Sequence, residues 1–132
     1  MLDKWNVFDR RTYVGILTYD DEKKEFFFEL KNDHPRAIKA YKRLNADKDP
    51  QWFKETLFDR IIPPNAVDIR EVLNELNMIE YDAWELIKYV QLIHVNDLVW
   101  MTKGNDPLEF YKVHSLGSIC KKYDKEHPEF TE

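Results

Sequence analysis

The chain predicts an α+β fold: a small antiparallel sheet, built as an N-terminal meander, packed with three to four helices in a single compact domain. Three observations carry that prediction. Residues 4 to 30 contain successive runs of aromatic and β-branched residues separated by short polar connections. Residues 34 to 90 change to apolar residues at helical spacing, interrupted by aspartate and proline. A length of 132 residues, 43% hydrophobic and 14% aromatic, suffices for one core and is too short for two ordinary domains. The domain is placed at residues 1–125, with 126–132 as a frayed tail.

WNVFD and TYVGILTY read as the first two strands, with Arg10 and Arg11 as a tight turn between them. DDEKK is the next hairpin connection, and EFFFEL is the third strand. Simple alternation puts Tyr13, Gly15, Leu17 and Tyr19 on one face and Val14, Ile16 and Thr18 on the other. Both faces are fairly apolar, so at least one is expected to meet helices.

HPRAIKAYKRLNA opens with a proline near a helix start and continues with good helix formers. Its apolar stripe is Ala37, Ile38, Tyr41 and Leu44, with Arg36, Lys39, Lys42 and Arg43 beside it. After the polar break DKDP, the run PQWFKETLFDRII spaces Trp52, Phe53, Leu57 and Phe58 for one helical face. Pro63 and Pro64 then stop the helix, because proline lacks an amide donor and biases its predecessor toward extended backbone. Asp68 and Glu71 are placed for a capping box, followed by Ile69, Val72, Leu73 and Leu76 on a face expected to return to the same core. Asp82 and Glu85 repeat the capping pattern, with Trp84 and Ile87 expected inside. VNDLVWM reads as a short edge strand, EFYKVH as another strand, and SICKKYD as a weak helix.

Composition narrows the function classes. The 20 basic and 25 acidic side chains leave a formal charge of −5, which argues against general nucleic-acid binding. The single cysteine, Cys120, excludes an intramolecular disulfide and fits a reducing compartment. The opening MLDKWNVFDRRTYV has no apolar signal region and no stretch reaches the length of a membrane span, so a cytoplasmic protein without membrane contact is expected. Three scattered glycines cannot assemble a phosphate-cradling loop, and no cofactor is implied.

Candidate chemistry has a simpler explanation at each position. His34, His94, His114 and His127 lack the short helical spacing of metal ligands, and no metal site is assigned. Asp20, Asp21 and Glu22 fall in a hairpin tip, while Asp68, Glu71, Asp82 and Glu85 fall where helix caps are wanted. Cys120, Ser115 and Ser118 sit in no nucleophile setting, and kinase signatures are missing, so no catalytic residue is assigned and the chain is not expected to be an enzyme. The four cations of residues 36 to 43 suit a solvated helix face, with a phosphate backbone as the sharper alternative. Four tryptophans, seven tyrosines and eight phenylalanines exceed what a small core buries, so some should reach the surface as interface anchors.

YVGILTYDDEKKEFFFEL resembles the start of the HipA family, where a strand leads through a "VG-L" turn to a strand with spaced phenylalanines. LFDRIIPPNAVDIREVL is similar to that family's hydrophobic and proline segment, with Phe58, Ile61, Ile62 and Pro63 at the matching positions. YDAWELIKYVQLIHVNDLVWM resembles the family's next helix and strand. A further outline of HipA-like proteins, "R-x-x-P-P-x-R", a leucine-spaced helix and "D-x-x-W", is met by Arg60, Pro63, Pro64, Ile69, Leu73, Asp97 and Trp100. The chain departs from it in lacking the arginine after the proline pair, where Ala66 and Val67 stand, and the glycine before the last strand. The resemblance covers residues 12 to about 101, with residues 34 to 46 as an unmatched insertion.

The resemblance implies a noncatalytic module like the HipA N-terminal subdomain, which packs on a serine/threonine kinase core and in some systems is a standalone, HipS-like small protein acting as an antitoxin. The expected partner is a HipA-type kinase in a bacterial toxin–antitoxin pair, contacted through Trp52, Phe53, Arg60 and Pro64. A small phage or mobile-element inhibitor of a host nuclease and a nucleic-acid-binding regulator are the alternatives.

Overall fold

A computed structural model of the chain describes residues 1–128, which form a four-stranded antiparallel sheet and six α-helices. The frayed tail expected from residue 126 lies outside the described residues from 129 onward, and Glu126 itself still belongs to the last helix.

Strands β1 (Leu2–Asp9), β2 (Thr12–Asp20) and β3 (Glu25–Leu30) form the expected meander. Arg10 and Lys24 hold positive φ (both 55°) in the two hairpin turns. Strand β4 (Val99–Thr102) pairs with β1, giving the order β3-β2-β1-β4 and bringing a segment distant in sequence into the N-terminal sheet.

Simple alternation fails at one point in β2. The register passes from Val7 opposite Gly15 to Phe8 opposite Tyr13, leaving Val14 as the extra residue of a β-bulge. Val14 therefore joins Leu17 in the main core, while Tyr13 turns to the opposite face beside Phe8. Gly15 is required here, because a Cβ would lie 2.0 Å from the Glu29 carbonyl oxygen of the neighbouring strand.

The sheet packs on both sides, and on the second face the cover is confined to the region of Phe8 and Trp100 while Phe27 of β3 stays exposed. Val99 and Met101 of β4 enter the larger core and Trp100 the smaller one, as alternate strand residues must. The larger core is closed by α1 (Pro35–Arg43), α2 (Pro50–Phe58) and α4 (Ala83–Val90), through Ala37, Ala40, Phe53, Leu57, Trp84 and Ile87. Each starts as its sequence dictates: His34, Asp49 and Asp82 accept from the amides of Arg36, Trp52 and Glu85. Aromatic edges bind this layer together, with Trp84 stacked on Tyr19 (5.1 Å) and the Trp84 and Trp5 indoles both donating to Asp3.

The smaller core joins Phe8, Trp100 and Phe110, with Cys120 packed against them. The strand expected at EFYKVH is instead a 3₁₀ turn (Pro107–Glu109) running into α5 (Phe110–Val113). Asp106 caps the Leu108 amide with Pro107 at the first helical position, a helix start that the aromatic run masked. Helix α6 (Gly117–Glu126) follows, held to the β1–β2 turn by a buried cluster in which Asp124 pairs with Arg10 and accepts from the Tyr111 hydroxyl.

Candidate functional site

The double proline builds a projecting arm. Helix α2 ends at Phe58, the Ile61 amide closes a last turn on the Phe58 carbonyl, and Pro63 to Ala66 form a turn of their own. Helix α3 (Ile69–Glu75) follows and stops at Asn77, whose φ of 57° allows the Met78 amide to reach back to the Leu73 carbonyl. The Tyr81 hydroxyl then donates to the Ile62 carbonyl at 2.7 Å, so the arm leaves and rejoins the domain at a fixed neck.

Two expectations change here. Asp68 stands at the α3 N-cap without accepting an amide hydrogen bond, so the capping box does not form. The apolar face of α3 does not return to the core either: no residue from Ile61 to Ala83 is buried. Val67 and Ile79 are fully exposed, and Ile69, Val72, Leu73, Leu76 and Met78 are covered only in part. Apolar side chains left uncovered in this way are available for contact with another molecule.

The four expected contact residues divide. Trp52 is 50% exposed on α2, with the Lys48 ammonium 5.7 Å from its ring, and Pro64 is exposed on the arm. Phe53 is only 4% exposed and stacks on Phe28 in the main core, so its side chain is spent on packing. Arg60 is buried as well. Its Nε donates to the Leu92 carbonyl at 2.7 Å, and its two terminal nitrogens grip the Asp97 carboxylate at 2.7 and 2.8 Å. That fork joins the end of α2 to the loop before β4 and sets the base from which the arm projects. Arg60 and Asp97 both stood in the family outline, but only the fold brings them together. The arm residues Val67 and Ile79 were not singled out as contacts from sequence, where Val67 entered only as a departure from the family outline.

Asp97 organises its surroundings. Burial alone would raise its carboxyl, but the Arg60 fork, the Val99 amide and the nearby Arg43 charge together hold it below the ordinary value. His114 accepts the Leu116 amide at Nδ1 and therefore donates from Nε2 to the Asp97 carbonyl. Its burial pushes the imidazole pKa down, against the raising effect of that carbonyl, so the ring is held neutral. Both side chains thus have structural tasks, and among the described residues no three His, Cys, Asp or Glu side chains converge to hold a metal ion.

A second feature lies beside α1, where Arg36, Lys39 and Arg43 line a groove with Asn96, Asp9 and Asp97. Asp9 is matched by Arg36 at 3.1 Å and Asp97 by Arg60, leaving Lys39 and Arg43 as the groove's surplus cations. Lys42, the fourth cation of the run, is exposed and outside the groove lining.

Fold and surface define an α+β protein whose most distinctive feature is a partly apolar helical arm on a rigid base. In comparisons with family models, curated proteins and solved structures, nothing matches the chain. Among the described residues no helix is long and apolar enough to cross a membrane.

Proposed function

We propose that this protein is a noncatalytic interaction module that binds and regulates a HipA-type serine/threonine kinase, with the arm of residues 62–81 as the principal contact. The observation that carries the reading is the uncovered apolar surface around Val67 and Ile79 on a segment whose neck and base are both pinned. A pinned arm loses little conformational freedom on binding, so most of the apolar area it covers contributes to affinity. The family resemblance of residues 57 to 101, which span the arm and its base, supplies the kinase as partner. Trp52 and Pro64 are the aromatic and proline contacts retained from the sequence.

Pull-down of the tagged full chain from its native host, followed by mass spectrometry, tests this reading. Recovery of a HipA-type kinase with the unmodified chain, and its loss with Val67→Ser/Ile79→Ser, is the expected result. A host nuclease in place of the kinase would establish the inhibitor alternative, and recovery of neither through the arm would end the proposal. The groove beside α1 favours one second reading, a regulator that contacts a phosphate backbone through Lys39 and Arg43. Salt-sensitive DNA binding that disappears with Lys39→Glu/Arg43→Glu is its signature.

A further inference from the structure

The two edges of the sheet are treated differently. Alternate residues of an antiparallel edge strand turn their N–H and C=O groups away from the sheet, where something must satisfy them. On β4 the chain does so itself. The Asp97 carboxylate accepts from the Val99 amide, the Gln91 carbonyl accepts from the Met101 amide, and the Gln91 side-chain amide donates to the Met101 carbonyl. On β3 nothing equivalent occurs: among the described residues, the backbone of Glu25–Leu30 makes no hydrogen bond outside its ladder with β2.

The open edge borders a shaped hollow of about 410 Å³. Glu25, Phe26 and Phe27 all line it, although consecutive strand side chains point to opposite faces, so the hollow lies against the backbone edge of the first half of β3, next to the hairpin turn. Phe26, Phe53 and Ala46 supply its apolar wall, and Phe27 stands beside it 51% exposed. Around the rim are Lys23, Lys24, Lys48 and Lys54, against the single carboxylate of Glu25. Two of these lysines come from the hairpin tip and two from the region of α2, so the positive rim surrounds the slot from both sides.

We propose that the outer edge of β3 accepts an extended, acidic segment of a partner protein as a fifth strand, with an apolar side chain of that segment entering the slot beside Phe26 and Phe53. The backbone ladder provides the affinity common to all strand additions, and the lysine rim with the slot selects the sequence. This edge is separate from the arm and does not depend on the kinase reading.

The test uses the full chain and a short fluorescent peptide that alternates glutamate with valine around a central phenylalanine. Fluorescence anisotropy should show saturable binding that weakens with added salt and falls about tenfold or more in Lys23→Glu/Lys48→Glu. A peptide with lysine in place of glutamate, and one N-methylated at alternate backbone amides, should both fail to bind the unmodified chain. Amide exchange should slow at alternate residues of Glu25–Leu30 and not on the arm, and Val67→Ser/Ile79→Ser should bind the peptide normally. Equal binding of the basic or N-methylated peptide, protection outside β3, or no binding at millimolar peptide overturns the proposal. So does a homodimer in light scattering that protects the same β3 amides.

Discussion

Helices α2 and α3 stand a few residues apart in the chain, carry similar apolar spacing, and end up in opposite environments. In α2, Phe53 and Leu57 are buried against the sheet; in α3 no side chain is buried. Helical periodicity establishes that apolar residues share a face, and it says nothing about whether the fold brings a surface to meet that face. Proline makes the difference. Pro63 and Pro64 lead α3 away from the sheet, and the Tyr81 to Ile62 hydrogen bond returns the chain at nearly the point where it left. The space over the sheet that α3 would need is filled by α1, α2 and α4. Apolar residues left outside by a rigid corner are the physical basis for reading the arm as a binding element.

Several changes should sharpen this contrast, and the largest acts at the base that both regions share. Arg60→Ala leaves the Asp97 carboxylate buried without its partner and should cost about 3–5 kcal/mol in urea unfolding. Replacing Asp97 with alanine should be similarly severe, and the double replacement should cost less than the sum of the two. A matched pair comes next: Leu57→Ala in α2 should lose about 2–5 kcal/mol, whereas Leu73→Ala in α3 should lose about 1 kcal/mol or less. Equal losses would mean that the arm is packed as core in solution.

Acid should act on the base in two stages. The fold lowers the pKa of His114, so the unfolded chain takes up a proton first as pH falls below the ordinary value of 6.5, and stability declines from there. Asp97, with Asp3 and Asp124, is also lowered, so the stability these carboxylates provide is complete above 3.8 and disappears as pH falls through their folded-state values. Thermal melts across pH should show both stages, and His114→Gln should remove the first while retaining the second. Tyr81→Phe should cost only about 0.5–1.5 kcal/mol globally but should raise amide exchange specifically across residues 62–81. At the bottom of the scale, Val67→Ser/Ile79→Ser should leave stability within about 0.5 kcal/mol while removing partner binding.

The residues differ in how openly they declared their places. Asp82, Trp84 and Ile87 were readable because a cap and a helical stripe are local patterns, and both appear in α4. The meander was readable because turn residues and β-branched runs alternate along its sequence. The bulge at Val14 was not, since an extra residue in one strand has meaning only against the register of its neighbour. Aromatic residues of EFYKVH pointed to a strand, yet the Asp106 and Pro107 helix start prevailed once Phe110 could pack on Trp100. Trp52 and Phe53 show the same limit at single-residue scale: adjacent aromatics on one helix, one half exposed and the other in the core.

Local chemistry along the chain was enough to establish the strand order of the meander, the helix starts at His34, Asp49 and Asp82, and the proline corner, because hydrogen-bond geometry and backbone restriction act over a few residues. Whether an apolar face is covered, whether a charge pair is buried, and which sheet edge is left open depend on residues far apart in sequence. Arg60 meets Asp97 across 37 positions, Gln91 seals β4 from outside the sheet, and the arm stays uncovered because other helices occupy the sheet face. These outcomes follow from competition for the same space and the same backbone partners, which exists only after the chain has folded.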